Sequence, residues 1–100
     1  MEPQVIKIAH FRYTPSGRLT QQKHDVERRG GYTVVHVMYE NDVFVGVARC
    51  RKDHNGVLGD VFSKKQGVII ATARAVGAME DQNDPRIPPT IKNYTQGMVV

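Results

Sequence analysis

Residues 32–51 read YTVVHVMYENDVFVGVARCR, and how they are read decides the fold. Tyr32 to Tyr39 is an apolar, β-branched run; the polar group Glu40-Asn41-Asp42 follows, and Val43 to Arg51 resumes the earlier composition. β-Branched and aromatic side chains suit a pleated strand, and Asn and Asp tolerate positive φ, so Asn41-Asp42 predicts a tight hairpin turn. In the first strand one parity carries Tyr32, Val34, His36 and Met38, the other Thr33, Val35, Val37 and Tyr39. Both parities are largely apolar. This predicts a sheet covered on both faces, by a helix on one side and by another sheet or subunit on the other.

Upstream, Val5 to Tyr13, VIKIAHFRY, has the same β-forming character and stops at Thr14-Pro15-Ser16-Gly17, a turn sequence. It predicts a first strand. Residues 18–29, RLTQQKHDVERR, are poor in apolar side chains and read either as a solvent-washed partner strand or as an exposed arm. Downstream, the loop KDHNGVLGD leads to a helix over Ser63 to Met79. Ser63 with Gln66 three residues later has capping-box spacing, with Asp60 an alternative cap one turn earlier. At 100° per residue Phe62, Ile69, Ala73 and Val76 fall on one side and are expected to cover the sheet, with Gly67, Ala71, Arg74 and Ala78 as an adjacent small-residue strip. Pro85, Pro88 and Pro89 stop any continuation, so 81–100 is expected to be an extended tail, with a short last strand near Thr90 to Val99. The expected fold is α+β: a single domain over 1–100, an antiparallel sheet of about four strands and one main helix packed on one face.

Composition narrows the function classes. In 100 residues, 14 Lys and Arg against 10 Asp and Glu give a net charge of +4, and the pI is near 9.5. That balance suits a polyanionic partner as well as plain solubility. No apolar run approaches a membrane span, and Met1 to Lys7 lacks a signal-peptide pattern, so no membrane is expected and the expected location is cytoplasmic. The single Cys50 excludes an internal disulfide and agrees with a reducing compartment. Cys50 and His54 are four apart, but no second pair of ligand residues accompanies them, so no metal and no cofactor are expected. His36 reads as a packed or interface histidine. No nucleophile elbow, phosphate-cradling glycine loop or paired carboxylates stand out, and the chain is not expected to be an enzyme.

Ser63-Lys64-Lys65 after a β-hairpin is similar to the helix start of double-stranded RNA-binding domains, where such lysines meet phosphates. A longer pattern runs from Gly46-Val47-Ala48-Arg49-Cys50, through a linker containing Asp60, to Phe62-Ser63-Lys64-Lys65-Gln66-Gly67-Val68-Ile69-Ile70-Ala71-Thr72-Ala73-Arg74-Ala75. It resembles small phage-encoded proteins whose helix follows F-x-K/R-x-x-G-x-x-I-A-x-x-R-A, and among them the anti-Thoeris sponges. The resemblance spans Gly46 to Ala75. It implies a non-enzymatic phage counter-defence protein that binds a host's cyclic nucleotide immune signal without cleaving it. In that family basic residues one helical turn apart grip the ligand phosphates; Lys64 takes the first place, and the second falls on the uncharged Val68.

The expected ligand site therefore comprises the amides at the helix start, Lys64 and Lys65 with Arg74 or Arg49 for phosphates, and Phe62 or a tyrosine for stacking on a base. The expected partners are a nucleotide-type small molecule and a second copy of the chain in a homo-oligomer. Two other readings stand beside it: an inhibitor that binds a host immune protein complex directly, and a small basic nucleic-acid-binding protein.

Overall fold

The computed structural model of the chain describes residues 2–77. Four strands and one helix follow in the order β1 (Gln4–Tyr13), β2 (Leu19–Thr20), β3 (Gly31–Tyr39), β4 (Asp42–Cys50) and α1 (Lys64–Gly77). The strands form one sheet, ordered β2-β1-β3-β4, with every neighbouring pair antiparallel. The α+β architecture is the expected one. The open choice at 18–29 resolves into both alternatives: Leu19 and Thr20 pair with Tyr13 and Arg12 as a short strand, and the chain then leaves the sheet. The expected tail and last strand lie outside the described residues.

The β3–β4 hairpin is as expected, with its turn one residue earlier. Tyr39 pairs with Asp42, and the two residues between them, Glu40 and Asn41, both have positive φ, 50° and 71°. A two-residue loop needs left-handed backbone at both central positions to follow the strand twist. Asn41 takes that conformation readily, whereas Glu40 has no special tolerance for it.

β3 lies between β1 and β4, and its residues from Gly31 to Val37 are all buried. Val35, Val37 and Ala48 pack with Ala71 and Ala75 under the helix. Ala9, Phe11, Tyr32 and Val34 form a second cluster, joined at its margin by Tyr13, Leu19, Val45 and Val47. Side chains alternate across a strand, so these two clusters occupy opposite faces of the sheet.

The helix presents a different side from the one its periodicity suggested. Ala71 and Ala75 are fully buried, while Ile69, Ala73 and Val76 are exposed. Of the expected small-residue strip, Gly67 and Ala71 face the sheet, joined by Ala75, because the two backbones meet there, while Arg74 is exposed and Ala78 lies outside the described residues. A Cβ built on Gly46 would strike the Ala71 carbonyl oxygen and the Ala75 amide, and one on Gly67 would strike Thr33. Larger residues would hold helix and sheet further apart, so here close backbone approach overrides the preference for burying the bulkiest side chains. Phe62 does not join the helix face. It precedes the helix and packs separately.

Candidate ligand-binding site

Three segments converge at the end of the sheet where β1 finishes and β3 begins. The first is the turn after β1, in which the Thr14 amide donates to the Arg18 carbonyl at 2.8 Å and the Gly17 amide to the Thr14 carbonyl at 2.9 Å. The second is Glu27 to Gly30. It is held to β1 by the Glu27 amide donating to Tyr13 O at 2.7 Å and by Arg12 Nη2 donating to Glu27 O at 2.9 Å. The third is 51–60, folded back on itself: the Asp60 amide donates to Arg51 O at 2.9 Å, and His54 and Val57 bridge across an Asn55-Gly56 turn with positive φ at both residues.

Gly30 brings the second and third segments together. Its φ of +84° is left-handed, and a Cβ there would sit 2.7 Å from the Lys52 Cβ and 3.2 Å from the Tyr13 ring. Glycine is required on both counts. The junction is stitched by the Gly30 amide to Asp60 O, the Phe62 amide to Arg28 O, an antiparallel bridge between Arg29 and Val61, and Arg29 Nη1 donating to Gly59 O at 2.9 Å. The Asp53 carboxylate accepts from the Gly59 amide. Arg51 and Asp60 form an ion pair at 3.2 Å, with both side chains more than half exposed.

Between these segments lies a cleft of about 370 Å³, lined by Tyr13, Thr14, Pro15, Gly17, Glu27, Arg28, Arg29, Lys52 and Asp53. Three cations and two carboxylates line it, a balance of +1, and the Asp53 carboxylate is engaged with Gly59. Tyr13 supplies the aromatic wall. Burial and a hydrogen bond with Tyr32 push its hydroxyl up to about 12, while nearby Arg49 pulls the other way. The phenol is therefore neutral at any physiological pH. Lys52 lies across the ring, its Nζ 4.9 Å from the centroid.

The expected site residues are divided between two places. Arg49 is the register partner of Tyr32, and its neighbour Ala48 packs under the helix, so Arg49 points to the opposite face, toward Tyr13. Phe62, Lys64 and Lys65 cluster at the helix start. There the Phe62 ring meets His10 edge-on at 5.7 Å, and the Arg12 guanidinium carbon sits 4.9 Å from its centroid. A Cβ at Gly31 would also reach the Phe62 ring, at 2.8 Å. Phe62 is thus packed among its own chain's groups. Ser63 caps the helix as expected, its Oγ accepting from the Gln66 amide at 3.2 Å. Lys64 and Lys65 are exposed in the first turn, where nothing acidic offsets them. Lys64 also helps hold the His10 imidazole below its ordinary pKa, after burial as the main cause, and His10 Nδ1 bonds Thr33 Oγ1 at 2.9 Å. Arg74 lies apart from both clusters, its Nη1 donating to Val47 O at 2.9 Å on the outer edge of β4.

Arg28, Arg29 and Lys52 were not among the expected site residues, and Tyr13 was covered only by the expectation of an unspecified tyrosine. Two arginines directly before two glycines were the available signal. What joins them to Lys52 is the long-range meeting of Arg29 with Val61, which no local pattern encodes. Among the described residues no three His, Cys, Asp or Glu side chains gather to hold a metal ion, and no helix is long and apolar enough to cross a membrane. Cys50 is half-buried, with its Sγ donating to Asp60 O and its pKa raised mainly by burial. In comparisons with protein-family models, curated proteins and solved structures, none matches this chain.

Proposed function

We propose that this chain is a non-enzymatic binding protein that sequesters a nucleotide-derived immune second messenger, in the manner of a phage counter-defence sponge. The observation that carries the reading is the cleft, where an aromatic wall, Tyr13, stands beside Arg28, Arg29 and Lys52 in a volume suited to a mononucleotide-sized ligand. Guanidinium and ammonium groups meet phosphates by charge-assisted hydrogen bonds, and a tyrosine ring offers a stacking surface for a base. Arg49, on the same face as Tyr13, adds positive potential behind the ring. The basic helix start, Lys64 and Lys65, serves in this reading as a second source of long-range attraction for the anion.

Homo-oligomerisation belongs to the same proposal. Val5, Ile6 and Ile8 on β1 and Ile69 and Val76 on α1 stay between 43% and 55% exposed, and a second copy would cover them. A monomer mass by light scattering across micromolar concentrations would remove this part.

The test of the function is mass spectrometry of small molecules released by heating the full chain purified from cells with active nucleotide immune signalling. A released nucleotide, lost in an Arg28→Ala variant, is expected; an empty wild-type protein contradicts the reading. One observation favours direct inhibition of a host immune protein instead. Val57 and Leu58, beside the Asn55-Gly56 turn, are 63% and 64% exposed and form an apolar tip. If replacing both by Ser removes counter-defence activity while nucleotide release is unchanged, that second reading replaces the first.

A further inference from the structure

The three cations that line the cleft are not equally free to act. Arg29 is tied to the Gly59 carbonyl, and Arg28 is exposed. Lys52 alone lies over the ring that would receive a base. Its Cβ is fixed against Gly30, so the stem is anchored while the four-carbon chain beyond it can turn. Tyr13 is held too, half-buried and with Gly30 close against its ring. A planar ligand cannot take the Lys52-covered side of that ring while the ammonium rests there.

We propose that Lys52 is a specificity-determining latch: its ammonium covers the Tyr13 ring in the free protein and moves to the phosphate when a nucleotide base stacks on that ring. The inference rests on the nucleotide reading above and extends it to the class of ligand selected. A cation on an aromatic face is held weakly when exposed, and a charge-assisted bond to phosphate is the stronger of the two contacts. A ligand with base and phosphate in one molecule exchanges the first contact for the second. A nucleoside must displace the ammonium and offers nothing in return. A bare phosphate draws the ammonium away and leaves the ring unstacked. The latch thus favours a nucleotide over either of its parts, at the cost of only one side-chain rotation.

The experiment is calorimetric titration of the full chain and of Lys52→Ala with AMP, adenosine and inorganic phosphate. Alanine keeps the Cβ that meets Gly30, so an unchanged melting temperature is expected. The latch predicts effects of opposite sign: in Lys52→Ala the affinity for AMP falls about tenfold or more, and that for adenosine rises several-fold because the ring is uncovered. A loss for AMP with adenosine unchanged would make Lys52 only a phosphate contact and overturn the latch while the nucleotide reading stands. Equal losses for both would make its role structural and overturn it likewise. If the unmodified chain binds none of the three probes, the latch and the nucleotide reading fall together.

Discussion

At the scale of single residues, His10 and Glu40 hold the clearest consequences. His10 and His36 are both kept below the ordinary imidazole pKa of 6.5, chiefly by burial and secondarily by Lys64 and Lys7 respectively. The unfolded chain takes up protons near 6.5 while the folded chain resists them until lower pH. Stability is therefore whole above that value and declines as the pH falls below it. Melting temperature should drop between about pH 7.5 and about pH 5, and a His10→Gln variant should show a shallower drop. A pH-independent melting temperature over that range would contradict the assignment. Glu40 makes a separate prediction. It occupies a left-handed turn position for which Asn is better suited, so Glu40→Asn should stabilise the chain by roughly 0.5–1 kcal/mol in urea unfolding. The hairpin was legible in the run from Tyr32 to Arg51; its turn was displaced by one because Glu40 carries no local sign of tolerating positive φ.

At the scale of elements, the helix and the sheet edges show what pattern alone cannot. Periodicity placed Ile69 and Val76 against the sheet because amphipathic reasoning buries the largest apolar groups. The packed surface is instead Gly67, Ala71 and Ala75 over Gly46 and Thr33, a close contact that depends on residues of two distant elements being small together. Gly46→Ala tests it. The added methyl meets backbone atoms of the helix, which cannot swing aside as a side chain can, so a loss of about 1–3 kcal/mol is expected in urea unfolding, and no loss would mean that the helix sits further out. The strand edges are guarded in two ways. Pro3 and a register irregularity between Val5 and Lys7 mark the start of β1, and Arg74 covers the Val47 carbonyl on β4. Proline, bulges and charged side chains at an edge discourage further strand pairing. Arg74→Ala should therefore raise the tendency to aggregate, read by light scattering over time, more than it weakens binding in the cleft. The opposite order would return Arg74 to the ligand site.

At the scale of the whole molecule, the candidate site is a product of topology. The α+β class, the first strand and the β3–β4 hairpin follow from patterns visible along the chain, whereas the pairing of β1 with β3 joins residues too far apart for any local pattern to show it. The site residues do not follow from such patterns either, because Tyr13, Arg28 and Lys52 belong to three segments brought together by long-range contacts, among them the Gly30 junction and the Arg29–Val61 bridge. Of the residues expected from the sequence, Arg49 lies near that cleft, Phe62, Lys64 and Lys65 form a separate basic cluster, and Arg74 braces an edge. The central claim is that the cleft, rather than the helix start, takes the nucleotide. The most direct measurement is an amide-resolved NMR titration of the isotopically labelled full chain with AMP. Shifts concentrated in Tyr13 to Gly17, Glu27 to Gly30 and Lys52 to Asp53 are expected. Shifts concentrated at Ser63 to Gln66, or none in either place at saturating AMP, would contradict that claim.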